Sequence, residues 1–323
     1  MAGKKKDIGP RPPCEECGCE DVTSSGLYWR CTNPECTHQW KKMLRKRPMD
    51  RDEISDITVK EPVGLLMPPE KVISGFTERT IVALFDAHLD PMEHVHSAFW
   101  VAKQFTIDMQ PDIIVIGGDW GEFGSVSAWE RKKSLLIEGK RYKLEIEMYK
   151  SQLWDIRNRC PKSKIYFFEG NHEYRIPRYV EEHSNMEGLL DCREDMEIDN
   201  MEIEWVPYNK IIKLGKLNFL HGIYYNKYFA RSTLEAIGES CIFGHSHKSQ
   251  TYTQRLHNDK QPNIGCGIGC LCDLDPGWKR GIPTNFVNSF AYIDMRSDGG
   301  FNIHELIVIR DQVSFGGRTW AVE

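Results

Sequence analysis

Five short stretches end an apolar run on residues able to bind a cation: Asp86-Ala87-His88, Gly117-Gly118-Asp119, Gly170-Asn171-His172-Glu173, His221-Gly222 and His245-Ser246-His247. Together they use five of the chain's 11 histidines. A single histidine at a strand end is ordinarily a satisfied core residue. Five coincident endings call for another explanation. A tight turn accounts for the Gly and Asn, which tolerate left-handed backbone angles, but not for the histidines beside them. A donor set of Asp, Asn and His without Cys suits borderline or hard divalent ions such as Mn²⁺, Fe²⁺ or Zn²⁺.

The elements that must position these residues alternate along the chain. Apolar strands are expected at RTIVALF, PDIIVI, KIYFF, KLNFL and SCIF, each immediately before one of the five endings. Residues 92–108 read as an amphipathic helix, with His94 and His96 in its first turns, and residues 140–159 as a second, with Leu144, Ile146, Tyr149, Leu153 and Ile156 at helical spacing. Strand–helix alternation predicts an α/β fold. In open sheets of that class, ligands bind beyond the carboxyl ends of the strands. Residues 174–205 read as a helical insertion or cap at the entrance. Residues 286–309 read as a hairpin turning at Ser297-Asp298-Gly299-Gly300.

In this order, DAH, GGDWGE, GNHE, LHG and GHSH closely resemble the five motifs of the calcineurin-like metallophosphoesterase family, over about residues 79–250 by motif and to residue 309 by fold. The resemblance implies an α/β, two-sheet β-sandwich flanked by helices within residues 79–323. It also implies a two-metal centre, with Asp86, His88 and His247 on one ion, Asn171, His221 and His245 on the other, and Asp119 bridging. Two divalent ions roughly 3.5–4 Å apart hold a bridging hydroxide that attacks phosphorus in line. His172 matches the family's catalytic histidine and would assist the leaving group. Glu173 either orients His172 or is a helix-start carboxylate. Arg175 and Arg178 either clamp phosphate oxygens or form surface ion pairs. Two departures leave roles open. Glu122 stands where the second motif commonly has Asp, and Leu220 precedes His221 where Gly is often found. GNHE-x-R and CLC-x-LDP also resemble phosphoesterases encoded by bacterial viruses.

The N-terminal segment, residues 1–48, is a different object. Cys14-x2-Cys17 and Cys31-x4-Cys36 flank 13 residues, and two close thiolate pairs can supply the tetrahedral ligands of one structural Zn²⁺. This resembles a zinc ribbon, with Cys19 and His38 as spare donors. The segment carries a net +4 within a chain of net −5, so the remainder carries −9. Its basic runs, KKK at 4–6 and KKMLRKR at 41–47, interleave with Tyr28, Trp29 and Trp40. Such a mixture can contact phosphates and stack on bases, which makes DNA or RNA the expected partner. The bland reading is a solvated basic face over a small aromatic core. Residues 49–78 read as a linker or arm.

The expected activity is hydrolysis of phosphodiester bonds in nucleic acid. The alternative is a phosphomonoesterase acting on a phosphoprotein, nucleotide or small molecule, with the ribbon as a structural or docking module. The −9 balance of the main domain opposes the nucleic-acid reading unless its active face is locally basic. A scaffold with a decayed site is disfavoured by the intact ligand series. At 323 residues and 40% hydrophobic, the chain can build one large domain or two unequal ones. No stretch approaches the roughly 18 apolar residues of a membrane span, and no apolar core follows the charged N-terminus as in a secretory signal. A cytoplasmic protein, in a bacterium or a virus-infected host cell, is expected. Its 11 cysteines are then not a disulfide framework. Cys266, Cys270 and Cys272 read as small residues in a Gly-rich loop, with metal binding as the alternative.

Overall fold

The computed structural model describes residues 13–41 apart from 15, 16, 21, 26, 27, 37 and 38; residues 71–73; and residues 77–322 apart from 129–137, 258, 260, 277, 278 and 280. The chain forms two compact units, Met1–Gly64 and Leu65–Glu323. His38, the basic runs at 4–6 and 42–47, the side chains of Tyr28, Trp29, Trp40 and Lys41, and nearly all of the expected linker lie outside the described residues. Among the described residues, no helix is long and apolar enough to cross a membrane.

The smaller unit is an antiparallel sheet of β1 (Val22–Ser25), β2 (Tyr28–Cys31) and β3 (Gln39–Lys41). Its four expected ligands meet: Sγ of Cys14 lies 3.8 Å from that of Cys36, and Sγ of Cys17 lies 3.7 Å from that of Cys31. The Cys14 carbonyl accepts from Gly18 N–H and the Cys14 N–H donates to the Cys19 carbonyl, closing a tight knuckle. Thus Cys19 supports the cluster through its backbone.

The larger unit is α/β, with two mixed six-stranded sheets and few helices. Its first sheet is built on β5 (Arg79–Leu84), β6 (Ile113–Ile116), β7 (Lys164–Phe168) and β8 (Glu204–Val206), all parallel neighbours. An antiparallel hairpin, β14 (Ser289–Met295) and β15 (Phe301–Ile307), completes it beside β5. The second sheet runs in the order β12 (Gln250–Gln254), β13 (Asn263–Gly267), β11 (Cys241–Phe243), β10 (Leu217–Phe219), β9 (Ile212–Leu214) and β4 (Lys71–Ile73).

The central strands read as unbroken apolar runs because both faces of their sheet are covered. Alternate side chains divide between two cores. Ile81, Ala83, Ile113, Val115, Tyr166 and Phe168 point toward Leu214, Phe219 and Ile242 of the second sheet. Val82, Leu84, Ile114, Ile116, Ile165 and Phe167 pack instead with helices α1 (Ser97–Met109) and α2 (Tyr142–Arg159). On the far face of the second sheet, Cys241 and Phe243 meet Phe229, Ala230 and Leu234 of the helix Phe229–Ile237. The result is two face-packed sheets with helices outside. Each fully buried Leu, Ile or Phe contributes about 1.5–3 kcal/mol relative to exposure.

One expectation needs correcting. The first helix starts at Ser97, so His94 and His96 precede it; His96 Nδ1 caps it, accepting from Ala98 N–H at 3.1 Å. The stretch 174–205 is a short helix α3 (Arg175–Glu182), a 3₁₀ turn and a further helix α4 (Cys192–Asp195), and it leads directly into strand β8.

Candidate active site

The donors sit just past the carboxyl ends of β5, β6, β7, β10 and β11, strands drawn from both sheets. Backbone bonds carry the first two loops together beyond the sheet: Asp86 N–H donates to Gly118 O at 3.2 Å and His88 N–H to Asp119 O at 2.9 Å. Five of the donors have left-handed backbone: Asp86 (φ 52), His88 (φ 43), Asp119 (φ 49), His245 (φ 68) and His247 (φ 58). Asp and His tolerate this conformation better than most non-glycine residues, but it remains sparsely populated for them. The chain thus holds strain where these side chains gather. Two glycines make the gathering possible. A Cβ on Gly118 would lie 2.7 Å from His221 Nδ1, and one on Gly170 would lie 2.3 Å from Asp119 Oδ1.

All seven expected donors converge, in two sets around Asp119. In the first set, His88 Nε2 is 3.0 Å from His247 Nε2 and 3.7 Å from Asp119 Oδ2, while His247 Nε2 is 3.8 Å from Asp86 Oδ1. In the second, His221 Nε2 is 3.4 Å from Asp119 Oδ2 and 3.0 Å from Asn171 Oδ1, with His245 alongside. His221, whose placement the LHG motif left open, is buried within the cluster.

The donor chemistry fits cations. His221 Nδ1 must donate to the Gly117 carbonyl, 2.9 Å away, because a carbonyl only accepts. In the neutral ring its Nε2 then turns a lone pair toward the oxygens of Asp119 and Asn171. His88 Nδ1 donates to Glu122 Oε2 at 2.9 Å, so in the neutral ring its Nε2 likewise faces His247 as an acceptor. Asp86 is fully buried; its Oδ2 accepts from His245 N–H at 2.7 Å and its Oδ1 has no partner. Lone pairs aimed at one another in a buried place repel unless a positive charge lies between them.

The electrostatics agree. Burial would lower His221, but the Asp119 carboxylate outweighs it and raises the ring to about 10. Burial likewise opposes a charged His88, yet the bond to Glu122 raises it to about 9. Burial pushes the Asp86 carboxyl up to about 7, and lowers His172 and His245 to about 4. Asp119 is held well below the carboxylate range, the neighbouring histidine charges overcoming its burial.

The residues around the donors differ from expectation in two ways, and one open role is filled. Glu173 is fully buried and its oxygens accept backbone N–H groups: Asp119 at 2.9 Å, Trp120 at 2.8 Å and Gly170 at 2.9 Å. It fixes the loop that carries Asp119, and neither orients His172 nor acts as a simple helix-start charge. Arg175 gives Nη1 to the Glu122 carbonyl at 2.5 Å and to Glu122 Oε1 at 3.3 Å, and Nη2 to His172 Nε2 at 3.0 Å. Both terminal nitrogens are engaged within the protein, with one N–H of Nη2 left open, so a bidentate grip on phosphate is not preformed. Glu122 finds its role as the carboxylate that orients His88. His172 donates Nδ1–H to the Glu122 carbonyl at 2.9 Å and stands 3.9 Å from Asp119 Oδ2 through Nε2.

A cleft of about 790 Å³ opens over the cluster, and a smaller cavity of about 330 Å³ adjoins it; Asn171 and Arg175 line both. Arg178 lines the smaller one, while His94 and His96 line the larger. Cys266 and Cys270 are buried packing residues, but Cys272 is not: its Sγ lies 3.8 Å from His247 Nδ1. Phe286 stacks edge-on to the same imidazole at 4.6 Å. The CLC sequence carried a signal for Cys272. Nothing in the sequence marked Phe286 or Tyr225, which also lines the cleft.

No protein-family profile matches this chain, and no curated protein does. Among solved structures, a cold-active protein tyrosine phosphatase determined at 1.1 Å is 13% identical, with a TM-score of 0.33 and coverage of 85% of this chain and 92% of that one. A cold-active protein-tyrosine phosphatase of a psychrophile Shewanella species is 14% identical, with a TM-score of 0.34 and coverage of 85% and 94%. Overlap this loose establishes neither a shared fold nor a shared activity.

Proposed function

We propose that the larger unit is a two-metal phosphoesterase of the calcineurin-like type, hydrolysing phosphodiester bonds in nucleic acid. The observation that carries this reading is the convergence of seven donors from five strand ends into two sets sharing Asp119, with Asp86 Oδ1 buried and unpartnered among them. Asp86, His88 and His247 would hold one ion and Asn171, His221 and His245 the other. Oxygen and imidazole donors without thiolate in these sets favour Mn²⁺. A pair of divalent ions supplies Lewis acidity toward phosphoryl oxygens and a more acidic water. Cys14, Cys17, Cys31 and Cys36 would hold a separate structural Zn²⁺.

The chain's own groups do the remaining work. Glu122 and the Gly117 carbonyl fix the two imidazoles in the tautomer that turns Nε2 inward. The His172–Arg175 pair stands beside Asp119 and assists the leaving oxygen. In this arrangement Nε2 of His172 accepts from Arg175, so the donor that can stabilise a departing oxygen is the guanidinium. Proton donation by His172 requires Arg175 to swing aside. Support for a nucleic-acid substrate comes from the +4 charge of residues 1–48. Arg178 and Lys248 add positive charge at the cleft walls, beside the acidic Glu93, Asp273 and Glu182.

The test is turnover with Mn²⁺ of labelled single- and double-stranded DNA and RNA, bis-p-nitrophenyl phosphate and p-nitrophenyl phosphate. Polymer and diester cleavage is expected; monoester-only turnover would reject the diester reading. Asn171→Ala should lose bound Mn²⁺ and activity together. His172→Ala should lose activity with the metal retained, and full activity in that variant removes its assigned role.

A further inference from the structure

Tyr225 is 76% exposed, an unusual position for a large ring on the wall of a deep cleft. Its ring centroid lies 6.1 Å from that of His245, one of the seven donors. Lys248 lines the same cleft. The loop bearing Tyr225 is held rather than loose: Asn226 Oδ1 accepts from Tyr228 N–H at 2.9 Å, and Asn226 Nδ2 donates to Ser232 Oγ at 3.2 Å. Asn171 also borders the 330 Å³ cavity, whose wall carries Arg175, the exposed Arg178 and Glu182. The sequence of surfaces is thus an open aromatic face, a cation-binding cluster and an arginine-lined hollow.

We propose that Tyr225 is a stacking platform for the nucleobase next to the scissile phosphate, and that the arginine-lined hollow takes the neighbouring phosphate of a single-stranded nucleic acid. This rests on the nuclease reading and names its substrate class. A π-face accepts any base, so such a platform binds strands with little sequence preference. The base must be free of its duplex partner to lie on the ring, which selects single strands. Repetition of anionic sites also selects the polymer. A polynucleotide carries a phosphate at every residue and can occupy the cluster and the Arg178 hollow at once, whereas a singly phosphorylated peptide can fill only one.

The test uses the full-length protein with Mn²⁺ and two labelled single-stranded oligonucleotides, one intact and one with reduced abasic residues flanking the cleavage position. Wild type should favour the intact strand by roughly tenfold in kcat/KM, mostly through KM, the scale of one base–aromatic stack. Tyr225→Ala should erase that preference and Tyr225→Phe should keep it. Persistence of the preference in Tyr225→Ala, or a wild type that cleaves both strands equally, overturns the stacking site while leaving the nuclease reading intact. A wild type that cleaves neither strand but hydrolyses a phosphotyrosine peptide overturns the nuclease reading, and the platform with it.

Discussion

Two imidazoles in the cluster owe their orientation to what holds their other nitrogen. His88 rests on Glu122 and His221 on the Gly117 carbonyl, so both present Nε2 inward. Removing an orienting partner of this kind typically costs 10–100-fold in metal affinity. Glu122→Ala should therefore weaken Mn²⁺ binding by about that factor, read by titration calorimetry; unchanged affinity would strip Glu122 of its role. On the two-metal reading, protons compete with cations for these rings, since His88 is raised to about 9 and His221 to about 10. A ligand must shed its proton to bind metal. Near neutral pH these rings hold protons before metal enters, so loading should release them and affinity should rise with pH. Calorimetry in buffers of different ionisation enthalpy measures the released protons directly. Affinity that stays flat from pH 6 to pH 9 would show that these rings do not ligate.

At the scale of elements, the loop after β6 is the keystone, because Asp119 belongs to both sets of donors. Its backbone is pinned by a carboxylate from the loop after β7: Glu173 takes N–H groups from Asp119, Trp120 and Gly170. Glu173→Gln turns one acceptor oxygen into a donor facing other donors, in a fully buried place. An unsatisfied buried group costs about 1–3 kcal/mol, so the melting temperature should fall by several degrees and metal binding should weaken with it. Unaltered melting would mean the loop is held by other means. The sequence showed the carboxylate at 173 but not its partners, because two of them, Asp119 and Trp120, are main-chain groups 54 and 53 positions away.

Across the whole molecule, two units carry different chemistry. The thiolate cluster belongs to Met1–Gly64 and the imidazole–carboxylate cluster to Leu65–Glu323. Deleting residues 1–48 should reduce cleavage of long strands while sparing bis-p-nitrophenyl phosphate, and should lower bound zinc by one per chain on elemental analysis. Equal activity on both substrates after the deletion would reassign the N-terminal unit from substrate binding to another task.

The sequence by itself marked five strands of the larger unit and the Asp, Asn and His residues that follow them. Ile81–Leu84 and Ile113–Ile116 are apolar on both faces, and only a covered parallel sheet accommodates such runs. The paired cysteine spacing and the order of the five endings were equally legible, because ligand type and local spacing are properties of the chain. Tertiary structure alone decided where those endings meet. It also decided that Glu122 serves His88, that Arg175 grips Glu122 and His172, that His96 caps a helix, and that Cys272, Phe286 and Tyr225 border the centre. The reason is physical. A donor's identity is local, but its hydrogen-bond partner, its burial and its shifted pKa arise from groups brought close only when two sheets pack face to face.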